Sequence, residues 1–374
     1  VKAVTPAGTA GEFALTVITA AGTLFAPAPF TYVQLSISSV SPNQGIFSGG
    51  TAITITGSFL NGASSVKVGG VSATDVVAVN STTVTAVTPA GSIGPASVEV
   101  TGAKGTATAS GAFTYISIVV PAWATLLEAV PDPAVVTDAN LRAAIVASGF
   151  AWRIKDTSSN IEMLLVPAGT FTMGCSPGDA ECGSDESPAH QVTLTNAFYM
   201  GKTEVTQAQW TAKMGSNPSY FSGSSDSPSR PVEQVSWDTI QNFNSATGLR
   251  LPTEAEWEFA CRAGTTTARY GVLNDIAWYN GNAGGTTHAV ATKLPNALGL
   301  YDTLGNVWEW CQDWYGSYSS GSVTNPTGPA TGSPRLLRGG YWNSSSDNCR
   351  GSQRSNNDPY DAVTNVGFRA VRAP

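Results

Sequence analysis

A repeat of 83 residues constrains the first third of the chain more than any other feature. Val-Thr-Pro-Ala-Gly at 4–8 recurs at 87–91, and Phe-Thr-Tyr at 30–32 recurs at 113–115, each at an offset of 83 (4 to 87, 30 to 113). A fixed period marks one folding unit used more than once. Residues 34–116 hold a whole copy, and 1–33 hold the tail of a preceding one. Within the whole copy, the runs AITITG, SVKVGG, DVVAV, TTVTAVTP, ASVEVTG and FTYISI are separated by Gly, Pro and Asn-Ser turns. Alternation places successive side chains on opposite faces of a strand, and such short strands predict an antiparallel immunoglobulin-like sandwich.

Composition narrows the function classes. Only 12% of the 374 residues are charged, 42% are hydrophobic, and there are 39 Gly and 22 Pro. That profile fits two to four turn-rich, β-heavy domains and has too much apolar content for disorder. A formal net charge of −7 argues against a nucleic-acid phosphate binder, which needs a basic face. With no run of about 18 apolar residues, no membrane insertion is expected within this segment. The opening VKAVTPAG has neither Met nor an apolar leader, so the chain is expected to be attached to a longer stalk or fibre, whose oligomeric state is open.

Residues 117–160 read as a junction. Pro121, Pro131 and Pro133 favour extended chain, then Asp138 offers an N-cap to LRAAIVAS, with Leu141, Ala144, Ile145 and Ser148 on one face and Gly149 as the stop. From 161 onward, MLLVPAGTFTMG predicts a strand pair. Thr206 with Gln209, and Thr253 with Glu256, form capping boxes, the first helix stopping at Gly215. Ser236 caps another helix, with Val235 and Ile240 spaced as a hydrophobic staple. Few helices among many short strands and Gly-rich loops make 161–374 an α+β domain.

The chain closes on two strand-like blocks, 335–340 and 366–371, that bracket a long polar insert. An insert of that length, pinned at both ends, is read as functional. Cys175 and Cys182 flank a Ser-Pro-Gly-Asp-Ala-Glu loop and either close a small disulfide ring or stay reduced. The five cysteines fit no zinc spacing. Trp237, Trp257, Trp308, Trp310 and Trp314 are read as core, and His190 and His288 as structural.

SVSPNQGIFSGGTAITITGSFL, VGGVSAT, NSTTVTAVTPAG and GAFTY resemble the IPT/TIG immunoglobulin-like family, whose modules serve mostly as spacers of surface proteins. VPAGTFTMG, HQVTLTNAFYMGKTEVTQAQW, GLRLPTEAEWEFACRAG, PNALGLYDTLGNVWEWCQDWYG, RLLRGGYW and VGFRAVR, in this order, resemble the formylglycine-generating enzyme (sulfatase-modifying factor) family. That resemblance implies an elaborated C-type-lectin-like fold for about 161–374. It also implies a Cys261–Cys349 disulfide and a Ca²⁺ site from the Asp302 side chain, the Gly305 and Val307 carbonyls and the Glu309 carboxylate. Hard oxygen donors of this kind suit calcium. The family's catalytic pair of copper-binding cysteines has no counterpart, because Asn343 to Asn348 contain no thiol before Cys349. Related iron enzymes need three histidines where this chain has two. Neither copper nor iron is expected, and no enzyme.

The final segment, RGGYWNSSSDNCRGSQRSNNDPYDAVTNVGFR, also resembles the variable region of proteins diversified by diversity-generating retroelements, which alter adenines, mostly in Asn codons. Substituting the adenines of AAC never yields Gln, Lys, Glu, Met or Trp. Positions 343–348, 351, 352, 355–358 and 360–365 hold only Asn, Ser, Asp, Gly, Tyr, Ala, Val and Thr, all within the reachable set. Asn, Ser, Asp and Gly are also ordinary loop residues, which accounts for much of this composition. The candidate ligand-binding residues are Tyr341, Trp342, Asn343, Ser344, Ser345, Asp347, Asn348, Gln353, Ser355, Asn356, Asn357, Asp358, Tyr360, Asp361 and Thr364. This mixture of adaptable polar groups and rigid aromatics is the one antibody paratopes use. The expectation is an extracellular, cell-surface or virion (phage tail or fibre) protein that binds a protein or glycan on a target cell. The alternatives are a structural fibre or decoration protein without a ligand, and a formylglycine-generating-type oxidoreductase.

Overall fold

The computed structural model describes residues 11–26 and 28–374, and the chain forms two compact units, Val1–Ile118 and Val119–Pro374. The first copy of the Val-Thr-Pro-Ala-Gly motif lies outside the described residues.

In the first unit the whole repeat is a sandwich. One sheet orders Thr74–Asn80, Thr83–Val87, Ala52–Ser58 and Ser36–Ser41; the other orders Gln44–Ile46, Gly105–Ile116, Gly94–Gly102, Ala63–Val68 and Val71–Ser72. Alternation sends Ile53, Ile55, Val66, Val68, Val98, Val100 and Phe113 into one core. One pairing departs from the antiparallel expectation, because Gln44–Ile46 runs parallel to 114–116. The two repeated motifs meet in space. Tyr115 Oη donates to the Pro89 carbonyl at 2.7 Å, and a side chain at Gly91 would lie 2.3 Å from the Tyr115 ring.

In the second unit, helices α1 (Ala139–Ala147), α2 (Gln207–Met214), α3 (Trp237–Thr247) and α4 (Glu254–Arg262) start on Asp138, Thr206, Ser236 and Thr253, whose side chains accept amides of the first turn. Both capping boxes form, α2 stops at Gly215, and the staple residues Val235 and Ile240 are buried. The junction is no free linker. Ala124–Glu128 pairs with Arg153–Asp156 and extends a five-stranded sheet through Glu162–Val166 and Phe198–Gly201 to Val371–Arg372. Only Ile145 of α1 is buried.

A second sheet orders Arg354–Asn357, Arg335–Arg338, Trp308–Trp314 and Val366–Gly367. Both ends of the polar insert are therefore held by one sheet. Its Trp308–Trp314 strand is buried at Trp308, Trp310 and Cys311 and packs on α4 through Trp257.

Candidate ligand-binding face

After Arg338 the chain turns through Gly339 (φ +98°) and Gly340 (φ +81°), where side chains would meet the Thr303 carbonyl at 2.9 Å and Cys349 Sγ at 3.0 Å. The turn leads directly to the first group of candidate residues. The Trp342 amide donates to the Asn306 carbonyl at 2.8 Å and its Nε1 to the Thr364 carbonyl at 3.4 Å. Tyr341 stands edge-on to Trp342 at 5.6 Å and tilts against Trp308 at 6.3 Å. Asn343, Ser345 and Asp347 are exposed beside them. Ser344 is a correction: it is buried, and its Oγ accepts the Tyr341 amide at 3.0 Å, so it caps the turn from inside.

A second group lies at the opposite end of the sheet. Register pairs Arg338 with Arg354 and Arg335 with Asn357, about 10 Å apart along the strand. Ser355, Asn356 and Asn357 occupy this edge strand. Tyr360 is 69% exposed and donates through Oη to the Asp358 carboxylate at 2.9 Å, with half-buried Asp361 beside it. Gln353 belongs to the frame, since Oε1 accepts from Arg350 at 2.7 Å and Nε2 donates to the Arg354 carbonyl at 2.9 Å. Asn348, half-buried, ends a short turn from Ser346. The exposed and half-buried candidates thus form two groups, with Ser344 and Gln353 in the frame and Thr364 tied through its carbonyl to Trp342.

Three buried arginines hold the segment that joins these groups, and a fourth, Arg369, ties the closing strand region to Glu309. Arg338 donates to Glu254 at 3.2 Å, to Glu258, and to the Gly351 and Ser352 carbonyls. Arg350 clamps Glu186 at 2.6 and 2.7 Å and reaches Asp179 and the Glu181 carbonyl. Burial works to raise the Glu186 carboxyl, but hydrogen bonds from Arg350 and Ser352 outweigh it and hold the group below its usual range. Arg354 grips Glu254 through Nε at 2.6 Å and Nη2 at 2.9 Å and stacks on Tyr318. Arg369 binds Glu309. Cys175 and Cys182 are disulfide-bonded, closing the loop that carries Asp179 and Glu181.

Two expectations from the sequence need correcting. Cys261 and Cys349 are not joined; with Cys311 they are buried free thiols. Cys261 lies among Trp257, Leu304 and Leu336 with Sγ toward the Thr303 carbonyl, whereas Cys349 packs on Gly340. Burial pushes Cys261 up to about 11 and Cys349 up to about 12, so neither is a ready thiolate. Native protein treated with iodoacetamide at pH 8 is expected to keep all three thiols unmodified, and denatured protein to lose all three, as read by intact mass. Trp237 and Trp314 are not core but half-buried, sandwiching the Arg335 guanidinium at 3.8 and 3.4 Å. The expected calcium ligand Glu309 is also bonded within the protein. Its Oε1 accepts from Arg369 at 2.8 Å and its Oε2 from Trp257 at 2.7 Å. Asp302 Oδ1, by contrast, is buried without a partner. His190 is buried against Tyr318, and half-buried His288 stacks on Trp278 at 3.8 Å.

The face also has fixed aromatic neighbours outside the C-terminal segment. Phe221 stands edge-on to Trp342 at 5.4 Å, and Tyr220, 68% exposed, edge-on to Phe221 at 5.0 Å. On another side the Asn280 amide donates to the Ser344 carbonyl at 3.1 Å, bringing Tyr279 and Asn280 alongside. The sequence signal was faint: Ser-Tyr-Phe-Ser within a Ser-rich loop. Buried Glu233 anchors this loop by accepting the Phe221 amide at 2.9 Å, while its other oxygen has no partner and burial pushes the carboxyl up to about 7. Its folded value lies above the ordinary 4.5, so the native state holds the proton longer and stability falls as pH rises from 4.5 through 7. Glu233→Gln is expected to remove about 2 kcal/mol of that fall, measured by urea unfolding at pH 5 and pH 8.

Residues 151–374 match the sulfatase-modifying factor enzyme 1-like domain, and residues 35–115 the IPT/TIG domain. Treponema denticola variable protein 1 is a structural relative at 33% identity and TM-score 0.52, covering 57% of this chain and 95% of that one. The formylglycine-generating enzyme of Bos taurus is 30% identical over 280 residues, covering 56% of this chain and 74% of the enzyme. Serine/threonine-protein kinase pkn1 of Chlamydia pneumoniae is 34% identical over 238 residues; the match takes in 56% of this chain but only 38% of that protein. The relatives therefore include both a catalyst and a variable protein on one fold. On the extent of the match from 151 to 374, the chain belongs to the sulfatase-modifying factor enzyme 1-like (formylglycine-generating enzyme) family and carries an IPT/TIG domain ahead of it.

Proposed function

We propose that residues 119–374 form a non-catalytic binding head, in which the exposed positions of 341–365 are a diversified ligand-contacting face. One observation carries the reading. Within the segment, the buried, bonded side chains and the exposed, unbonded ones are different residues. Arg350, Ser352 and Arg354 are buried and bonded, whereas Asn343, Ser345 and Asn356 are exposed and make no side-chain hydrogen bond among the described residues. Side chains without internal partners can change at little cost, and surface substitutions away from special features usually stay within about 0.5 kcal/mol. Residues 343–348 hold no thiol, so the cysteine pair that the resemblance implies for the enzymes has no counterpart on this face, which supports a non-catalytic reading.

The partner is a protein or glycan met outside the cell, and the head rides on immunoglobulin-like modules of a cell-surface or virion fibre. The disulfide supports an oxidising compartment. Among the described residues no helix is long and apolar enough to cross a membrane. Sequencing the codons for 335–374 across a population, together with the neighbouring DNA, tests the proposal. The expected result is a near-copy beside a reverse-transcriptase gene, with adenine changes concentrated at exposed positions such as Asn343, Ser345, Asp347, Asn356 and Tyr360. A segment identical in every isolate, with no copy, would overturn diversification and move the structural fibre reading ahead.

A further inference from the structure

Asp313 is a buried carboxylate without a cation. It is 4% exposed, makes no salt bridge among the described residues, and uses only Oδ2, which accepts the Glu254 amide at 3.0 Å. Oδ1 is left toward Gly328, and both residues line a cavity of about 520 Å³ within the second unit. Gly328 adopts φ +69°, and a side chain there would lie 3.1 Å from Oδ1, so the glycine keeps that oxygen open. The other charges on the wall are matched. Glu254 accepts from Arg354 at 2.6 and 2.9 Å, from Arg338 at 3.2 Å and from Tyr318 Oη at 2.9 Å. Arg335 stacks between Trp237 and Trp314 and donates to the Gln312 carbonyl at 2.7 Å. His190 Nδ1 donates to the Pro188 carbonyl at 3.0 Å, because a carbonyl only accepts, and Nε2 of the unprotonated ring remains an acceptor. Burial first, then the Glu254 charge and more weakly that of Glu256, push the Asp313 carboxyl up to about 7 against the bond from the Glu254 amide.

We propose that this cavity receives an alkylammonium group, its charge met by Asp313 and its methylene chain lying along Val323, Pro326 and Pro329. A buried carboxylate without a cation is strongly unfavourable, and a bound ammonium removes that penalty. An ammonium brings three donors and no acceptor. The wall is suited to it, offering the Asp313 carboxylate and the Thr324 and Thr327 hydroxyls, which make no hydrogen bond among the described residues. An anionic ligand would find no free cation, because Arg354 is engaged by Glu254 and by the Asp185 and Gly316 carbonyls. A metal ion is poorly served, since among the described residues no three His, Cys, Asp or Glu side chains are grouped to hold one. The site does not depend on diversification of 341–365, so the two proposals fail separately.

The test titrates the full chain with n-butylamine by calorimetry at pH 6 and pH 8, with butyrate and 1-butanol as controls. Butylammonium is expected to bind and both controls to give no binding heat. At pH 6 the free Asp313 carboxyl is largely protonated, so binding is expected to release a proton, read as a heat that changes with the ionisation enthalpy of the buffer. At pH 8 that release is expected to vanish. Asp313→Asn keeps an acceptor for the Glu254 amide and is expected to weaken binding roughly tenfold and to abolish the proton release. Gly328→Ala places a methyl group over Oδ1, is expected to weaken binding to a similar degree, and serves as the probe should Asp313→Asn fail to fold. N-acetyl-lysine amide separates the sources of the group: binding like butylamine assigns the cavity to a lysine side chain of a protein partner, and exclusion assigns it to a free amine. A parent that binds neither amine, or binds butanol as well as butylamine, overturns the proposal. So does a folded Asp313→Asn or Gly328→Ala protein with the parent's affinity.

Discussion

Arg338→Met is expected to destabilise the second unit by about 3–5 kcal/mol, the range seen when one partner of a buried ion pair is removed. Arg338 is fully buried and ties α4 to the C-terminal segment. Its guanidinium joins Glu254 and Glu258 on one side and the Gly351 and Ser352 carbonyls on the other. Methionine fills similar volume but donates nothing, so two carbonyls lose donors and two acidic groups lose a cation. The loss stays finite because Glu258 keeps Arg262 at 2.8 Å and Glu254 keeps Arg354 at 2.6 Å. Urea unfolding at pH 7, read by tryptophan fluorescence, measures it. A loss below about 1 kcal/mol would mean that the arginine frame does not hold the segment.

Arg350→Met is expected to cost a similar amount, with a pH dependence that identifies its cause. The Glu186 carboxyl lies below its usual range in the folded protein, with burial opposed by Arg350. A depressed acid contributes stability that is present above the ordinary value of 4.5 and lost as pH falls through the folded value. The gap between parent and Arg350→Met should therefore be widest near pH 7 and should shrink in acid, where Glu186 is protonated in the variant. Replacing Arg350 and Glu186 together with apolar residues should recover much of the loss, as for other buried pairs. The same substitution frees the segment from the 175–182 disulfide loop, whose Asp179 carboxylate and Glu181 carbonyl both accept from Arg350.

Local chemistry was legible in the sequence. Thr206 with Gln209, Ser236, and Thr253 with Glu256 each place an acceptor within reach of its own first-turn amides, so the caps formed as read. The sandwich core followed from period-two alternation around Ile53, Val66 and Val98. Long-range pairing was not legible. Arg350 finds Glu186 across 164 positions, and nothing near Arg350 in the chain announces it. Ala124–Glu128 was hidden among prolines, because edge pairing with Arg153–Asp156 is a tertiary event. Trp237 and Trp314 looked like core, since residue type alone does not reveal that a guanidinium will sit between two indoles. At the candidate site, the residues were proposed from a resemblance and from composition, but their division into two groups follows from strand register, which composition does not encode.

The central claim is that a rigid frame carries positions free to vary. It is tested most directly by randomising Asn343, Ser345, Asp347, Asn356 and Tyr360 together and measuring thermal unfolding of several dozen clones. The account predicts cooperative unfolding within a few degrees of the parent for most clones, because these side chains face solvent and the buried arginine network is untouched. A majority of clones that unfold far below the parent, or without a cooperative transition, would contradict it.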